Sequence, residues 1–437
     1  MAVKKPQIKA TNADYVNMAY EQASPGLRAV LEPYAGSGIP LASYDSMFVA
    51  LTGNPIHLNE FLNLMNMVAM DFITTKRKWN SPLKEFEKTL EYGDTIREIA
   101  IRSFQSHTYK SGTDNKNPGD VFKQEPPDVM EFFHKINFER YWENTDNYTL
   151  LRRAFSREYG LSQFQMAAMT TLYNSAEHEV YQAMLKAMKD GYKFARIRGV
   201  QVADVRGNAN NAKNLVKIMR RTATDFGFYK SDYNVAEVDT FTPTGDIFVF
   251  ITPDVDAEQA VEVLSAAYNM DKSEFVGNVR VVDSFGDTGI QAIMMDRETL
   301  MFFRTLYRAG SVFDERHLTI NHYLHYHGSF TLAMSLNAVA FTTNKVDDPT
   351  VTEVTIQNDA TTVKPGATSS FTATVTGDDS NSVFWGVVGC SSNDTYINDD
   401  GTLYVGADER NGTKLKVLVS ARNNTSIQST KDITVQV

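Results

Sequence analysis

The longest regular pattern in the chain runs from about Ser162 to Gly191. Apolar side chains recur at Leu161, Phe164, Ala168, Leu172, Ala176, Val180, Ala183 and Ala187, the spacing of one face of a helix. Met169, Tyr173, Met184 and Met188 widen that stripe. Ser162 and Gln165 make a capping-box pair at its start. Asp190-Gly191 marks its end, because glycine takes the left-handed conformation after a helix without a Cβ clash. At about 1.5 Å per residue the helix spans roughly 40–45 Å.

Upstream, residues 1–55 are rich in Pro, Gly, Ser and Asn and predict an irregular arm holding short helices, which needs a surface to lie on. Leu58, Phe61, Leu62, Met65, Val68, Ala69 and Phe72 then predict a helix closed by Lys76-Arg77-Lys78, charges that suit a helix C-terminus. Residues 79–145 change character. Leu83, Phe86, Leu90 and the run Thr95–Ile101 read as extended, a polar tip covers 106–120, and an aromatic run returns from Val129 to Trp142. Two extended runs around a polar tip predict a projecting hairpin. Phe132, Phe133, Ile136, Phe138, Tyr141 and Trp142 are many aromatics for a projection without a core of its own, and such surface meets a partner.

Downstream the pattern is mixed. Asn210–Asp225 predicts a helix with Leu215, Ile218 and Met219 inward and Lys213, Lys217, Arg220 and Arg221 outward. Strands are predicted at 246–252, 278–283 and 291–296, with a helix from Asp254 or Asp256 through Tyr268. Residues 318–341 form one long aromatic strand-like tract with Gly328 as a kink. Composition shifts at 343–349, and residues 350–437 carry short alternating runs rich in Thr and Val, the pattern of an all-β sandwich.

A length of 437 residues predicts two to three domains, and 42% hydrophobic with 22% charged residues is a globular balance. A net charge of −10 argues against a sequence-independent grip on nucleic acid, which needs a surplus of Lys and Arg. One cysteine, Cys390, excludes an intrachain disulfide. No signal peptide or bilayer-spanning segment is read from the pattern. His317, His322, His325 and His327 cluster, but no carboxylate sits at ligand spacing among them, and packed histidines are expected. Asp254-x-Asp256 reads as helix capping and Asp399-Asp400-Gly401 as a turn. No nucleotide-binding, hydrolase or metalloprotease motif occurs. No catalytic, cofactor or metal residue is therefore expected, and function is expected to lie in surfaces.

Residues Asn269–Phe285 with Gly289 and Gln291–Asp296, the tract ending Asn337-Ala-Val-Ala-Phe341, and Ser81-Pro-Leu-Lys-Glu-Phe86 followed by Thr95–Ile99 resemble the major capsid protein of phi-29-type short-tailed phages. The resemblance implies the α+β Hong Kong 97 type of capsid fold across 1–345. In it, 1–70 would be the N-arm, 79–145 the E-loop and 205–300 the axial domain. Residues 146–204 and 301–345 would be the peripheral domain, with spine helix 162–190. Phe132, Phe133, Phe138 and Trp142 would then contact neighbouring subunits. Val363-Lys-Pro-Gly366, Phe371-Thr-Ala373, Val383-Phe-Trp385 and Asp400–Gly406 resemble a bacterial immunoglobulin-like domain of group 2 over 350–437, with a mild departure at Arg410-Asn-Gly-Thr413. The function implied is a shell subunit that forms hexamers and pentamers in a virion head made in the bacterial cytoplasm. A scaffolding protein would act in assembly, with portal and packaged double-stranded DNA as loose neighbours. A bacterial surface or adhesin protein is the alternative raised by the immunoglobulin-like part alone.

Overall fold

A computed structural model describes residues 12–36, 40, 43–73, 79–90, 93, 95–104, 126–147, 160–258, 278–286, 288–358, 360–378 and 380–436. Two units emerge, one from residues 1–95, 135–183 and 302–330, the other from 96–134, 184–301 and 331–437.

The first unit begins with helices α1 (Asn12–Gln22), α2 (Pro25–Leu31), α3 (Ser43–Thr52) and α4 (Pro55–Ile73). Short helices are present as expected, but they share a core instead of forming an irregular arm. Val16, Leu27, Leu31, Met47, Phe48, Leu58, Phe61, Leu62 and Met65 bury one another in a shared core that also takes in Ile320. The Pro and Gly signals that read as irregular fall at helix boundaries, Pro25 and Pro55 opening helices and Gly53 following one. Ser24 caps α2 by accepting from the Leu27 N–H, Pro25 occupies the first turn, and Glu60 of α4 accepts from the Ser24 N–H at 2.7 Å.

A four-stranded sheet follows the order β1-β9-β10-β4, with β1 Glu87–Thr89, β9 Leu300–Asp314, β10 Thr319–Leu332 and β4 Phe138–Asn147. Ile320, His322, Leu324 and Tyr326 are buried while the residues between them are only partly so, the period of two that a one-sided sheet requires. Against this face lies helix α5 (Gly160–Lys193), packing Met169, Leu172 and Ala176 on Leu324 with Trp142 and Tyr307. The edge of β9 is closed by α4: the Ser311 and Phe313 N–H groups donate to the side-chain oxygens of Asn63 and Asn59, each at 2.7 Å. Residues four apart on a helix advance about 6 Å and residues two apart on a strand about 6.8 Å, so two asparagines can stand in for a neighbouring strand and blunt the edge.

Two carboxylates are buried in this unit. Glu87 receives Lys84 Nζ at 2.8 Å, Arg304 Nη1 at 3.3 Å and the Tyr326 hydroxyl at 3.1 Å; Glu177 on α5 receives Lys84 as well. Lys84→Met leaves both acids short of a cation. Losing one partner of a buried pair costs about 3–5 kcal/mol, and about 2 kcal/mol is expected here because Lys84 is partly solvated. Thermal unfolding of the unassembled chain should record that loss, and K84M/E177L should recover part of it.

The second unit holds a five-stranded sheet in the order β5-β11-β8-β6-β7. Its strands are β5 Arg198–Gln201, β11 Ala338–Thr342, β8 Ile290–Asp296, β6 Ile247–Ile251 and β7 Val279–Val281. Every residue of β6, β8 and β11 is buried. Helix α6 (Ala209–Phe226) starts at Asn208, whose side chain accepts from the Asn210 and Asn211 N–H groups, and seats Ala212, Leu215, Met219 and Phe226 on the sheet. Helix α7 (Pro253–Glu258) has Asp254 and Asp256 in its first turn. Its predicted continuation to Tyr268 lies outside the described residues.

Three local expectations change. Helix α5 begins at Gly160, so Ser162 sits inside its first turn rather than capping it. It runs past Gly191 to Lys193, and the left-handed residue is Ala195 with φ 56°. Gly191 is needed for space: a Cβ there would stand 2.4 Å from Leu332 Cδ1. The aromatic tract 318–341 is two strands, β10 and β11, in different sheets, and Gly328 does not break β10. Its missing Cβ instead avoids the Phe303 carbonyl oxygen at 2.8 Å.

From Glu353 to Val435 the chain is strand and turn around one core of Phe371, Trp385, Leu403, Leu415, Val417, Val419 and Ile433. Its largest sheet pairs strands Val383–Val388, Lys414–Ala421, Asn424–Val435 and Thr362–Val363. This part packs on the end of α5. The Ser420 hydroxyl donates to the Lys193 carbonyl at 2.6 Å, and the Phe384 ring meets Tyr192 at 6.1 Å. Gly386 leaves room for Phe194, whose Cζ would be 2.7 Å from a Cβ.

Candidate assembly surface

Strands β2 (Thr95–Ile101) and β3 (Val129–Lys135) pair as a two-stranded hairpin. Its predicted tip, 106–120, lies outside the described residues. The strands alternate strictly. Glu98, Ala100, Met130, Phe132 and His134 face inward, where Ala100 packs with Ala236, Val238 and Met334. Arg97, Ile99, Ile101, Val129, Glu131, Phe133 and Lys135 face outward.

Glu98 fixes the inner face. His134 Nε2–H donates to it at 2.9 Å, the Met334 N–H at 3.0 Å, the Ser335 N–H at 2.9 Å, and the Ser335 hydroxyl adds a further bond. Burial by itself would raise this carboxyl, but the hydrogen bonds from His134, Ser335 and the two backbone groups outweigh it and bring it down to about 2. The hairpin is thus tied by an ionised buried carboxylate to the turn after β10. Among the described residues its outer face has no such anchor: Ile99 is 49% exposed, Ile101 48%, Val129 44% and Phe133 60%.

The four aromatics expected at a subunit contact separate. Phe133 lies on the outer face, and Phe132 is half-buried on the inner one. Phe138 and Trp142 are not on the hairpin. They belong to β4, which pairs with β10 in the register Phe138↔Gly328 and Trp142↔Leu324. Phe138 is buried against Tyr326 and Phe330, and Trp142 donates Nε1–H to Glu179 at 2.6 Å. The chain changes sheets at Ile136-Asn137, where the Asn137 side chain accepts from the Phe330 N–H at 2.9 Å and donates to its carbonyl at 3.0 Å. That polar break inside an aromatic run was the available signal. Ile99, Ile101 and Val129, which the sequence placed on strands without singling out, complete the outward face.

The histidines do not converge. His322 is buried, with Nδ1 2.6 Å from the Ser311 hydroxyl and Nε2 3.5 Å from Asp146, and burial pushes its imidazole down to about 4. Ser311 is itself 1% exposed, so this trio offers no route for a substrate. His325 and His327 occupy the other face of β10, His325 stacked on Tyr323, while His317 bonds Asp314 at 2.7 Å. Among the described residues no three His, Cys, Asp or Glu side chains are placed to hold a metal ion. At Asp399-Asp400-Gly401 the chain turns, with Gly401 at φ 83° and Asp400 accepting from the Thr402 N–H.

The comparisons with known proteins point to phage shell proteins. Residues 28–342 match the family described as Phi29-like phage major capsid protein. The major capsid protein of Bacillus phage B103 is 32% identical over 390 residues, 87% of this chain and 86% of that protein. That of Bacillus phage PZA is 31% identical over 399 residues, 88% and 86% of the two chains. Among solved structures, the capsid of Staphylococcus phage Andhra aligns with a TM-score of 0.48 at 12% identity over 61% of this chain and 85% of its own. The mature capsid of bacteriophage PhiM1 aligns at 0.39 and 10% identity over 60% and 87%.

The chain belongs to the Phi29-like phage major capsid protein family. It is a structural protein of the virion that forms the head shell, and the adhesin alternative falls.

Proposed function

We propose that residues 1–345 adopt the Hong Kong 97 type of capsid fold and assemble as hexamers and pentamers around double-stranded DNA. In this reading α5 is the spine helix, the sheet containing β6 and β8 the axial domain, and the β2–β3 hairpin the E-loop that lies over a neighbouring copy. The observation that carries it is the hairpin's outer face. Four exposed apolar side chains stand on a strand pair whose other face is anchored, and such a face gains stability only by being covered. Closed symmetry repeats that contact around the shell and multiplies its effect. Residues 350–437 are read as an immunoglobulin-like domain on the outer surface, supported by their alternating strands around Phe371 and Trp385. A scaffolding protein is expected to act in assembly, with portal and DNA as non-specific neighbours.

Sedimentation and electron microscopy of the full chain, alone and co-expressed with the scaffolding protein, test this reading. Uniform particles tens of nanometres across, showing five- and six-fold clusters, are expected. A chain that stays monomeric under both conditions would overturn it.

A further inference from the structure

The exposed face of α6 is one-sidedly basic. Lys213, Lys217, Arg220 and Arg221 stand at i, i+4, i+7 and i+8, all exposed, opposite the side chains that pack on the sheet. Among the described residues no ion pair forms at Lys213, Lys217 or Arg220. Arg221 reaches Asp225 at 4.0 Å, and Lys230 approaches that carboxylate more closely, at 3.5 Å. No Asp or Glu occurs from Ala209 to Thr224, in a chain whose net charge is −10. Like charges four apart weaken a helix, and cations toward its N-terminal half oppose its dipole. The stripe is therefore a local cost that the Arg221–Asp225 pair offsets only in part.

We propose that this stripe binds the phosphate backbone of duplex DNA, giving the shell wall its point of contact with the packaged molecule; this rests on the reading of a DNA-filled shell. The chemistry of the face favours nucleic acid over an acidic protein. Its exposed residues are Asn210, Lys213, Asn214, Lys217, Arg220, Arg221 and Thr224, without one apolar side chain. Protein interfaces centre on buried aromatic or aliphatic anchors and are depleted in lysine, whereas DNA interfaces are polar and strongly positive. The acidic remainder of the chain keeps the contact weak and free of sequence preference, as suits a wall against which DNA must slide.

The test measures binding of a random-sequence 20-base-pair duplex to the unassembled full chain between 50 and 200 mM salt, with particle yield followed separately by sedimentation. Four phosphate contacts predict that affinity falls about 150-fold across that range, and two contacts about twelve-fold. Lys213→Gln/Lys217→Gln should show the shallower dependence and K213R/K217R the steep one, both with unchanged particle yield. Identical salt dependence in wild type and the Gln variant, or no binding by wild type at 50 mM, would overturn the proposal. So would loss of particles with DNA binding unchanged, which would assign the stripe to an acidic neighbouring protein. Particle yield reports on the shell reading and duplex binding on this one, so the two fail separately.

Discussion

Ile99→Asp/Phe133→Asp is expected to abolish particles while leaving the subunit folded. Both side chains are about half exposed or more on the outward face of the hairpin, so aspartate there meets solvent in the free chain, and surface changes of this kind stay within about 0.5 kcal/mol. In the proposed assembly the same positions are covered by a neighbouring copy. Burying two apolar side chains contributes about 3 kcal/mol at roughly 25 cal/mol per Å², and carboxylates in their place add a desolvation cost. A loss of about 3 kcal/mol is more than a hundred-fold in each contact constant, and a subunit in a closed ring both gives and receives the contact. Sedimentation should show no fast fraction, while circular dichroism and the unfolding temperature match wild type. Particles at wild-type yield would remove the hairpin from the assembly surface. Phe138→Ala makes the contrast: Phe138 is 8% exposed inside the first unit, so its truncation should cost about 3–5 kcal/mol of folding stability.

The second large effect is expected at Glu98. Glu98→Ala strands His134, the Ser335 hydroxyl and two backbone N–H groups without their acceptor, a loss of about 3–5 kcal/mol for a buried charged group. Hydrogen exchange in β2 and β3 should accelerate, because the inner face then holds only by small apolar contacts, and particle yield should fall with it. The same group sets an acid limit. Its carboxyl is held at about 2 in the fold against an ordinary 4.5. The stabilisation is therefore complete above 4.5 and is lost as pH falls from 4.5 to 2. It amounts to about 3 kcal/mol at 1.36 kcal/mol per unit. Glu98→Gln cannot titrate, so its stability should change less over that window than wild type. Parallel curves for the two proteins between pH 4.5 and 2 would mean that Glu98 is not the anchor.

Local pattern carried far along this chain. The long helix, the strands at 247–251 and 290–296 and the helix 209–226 follow from spacing alone, since each buries one stripe or both faces and shows it in its own residues. Strand β9 is different. Its inner and outer residues switch between Phe302 and Tyr307, so no single period runs through it, and the sequence assigned it no strand. The Pro- and Gly-rich start failed for another reason: turn residues mark where helices end, and they do not say whether the pieces between them share a core.

Helix periods, buried strands, the lack of any motif for chemistry and the shift to short alternating runs after residue 350 are legible in the order of residues, because these depend on neighbours a few positions away. It takes the folded chain to show that Phe138 is core and Trp142 partly buried against Leu324 while Phe133 is surface, that Gly191 exists for Leu332, and that Asn59 and Asn63 close a strand edge some 250 residues downstream. Each of these is set by which distant segment arrives against a side chain, and burial is a property of that encounter rather than of the residue or its local period.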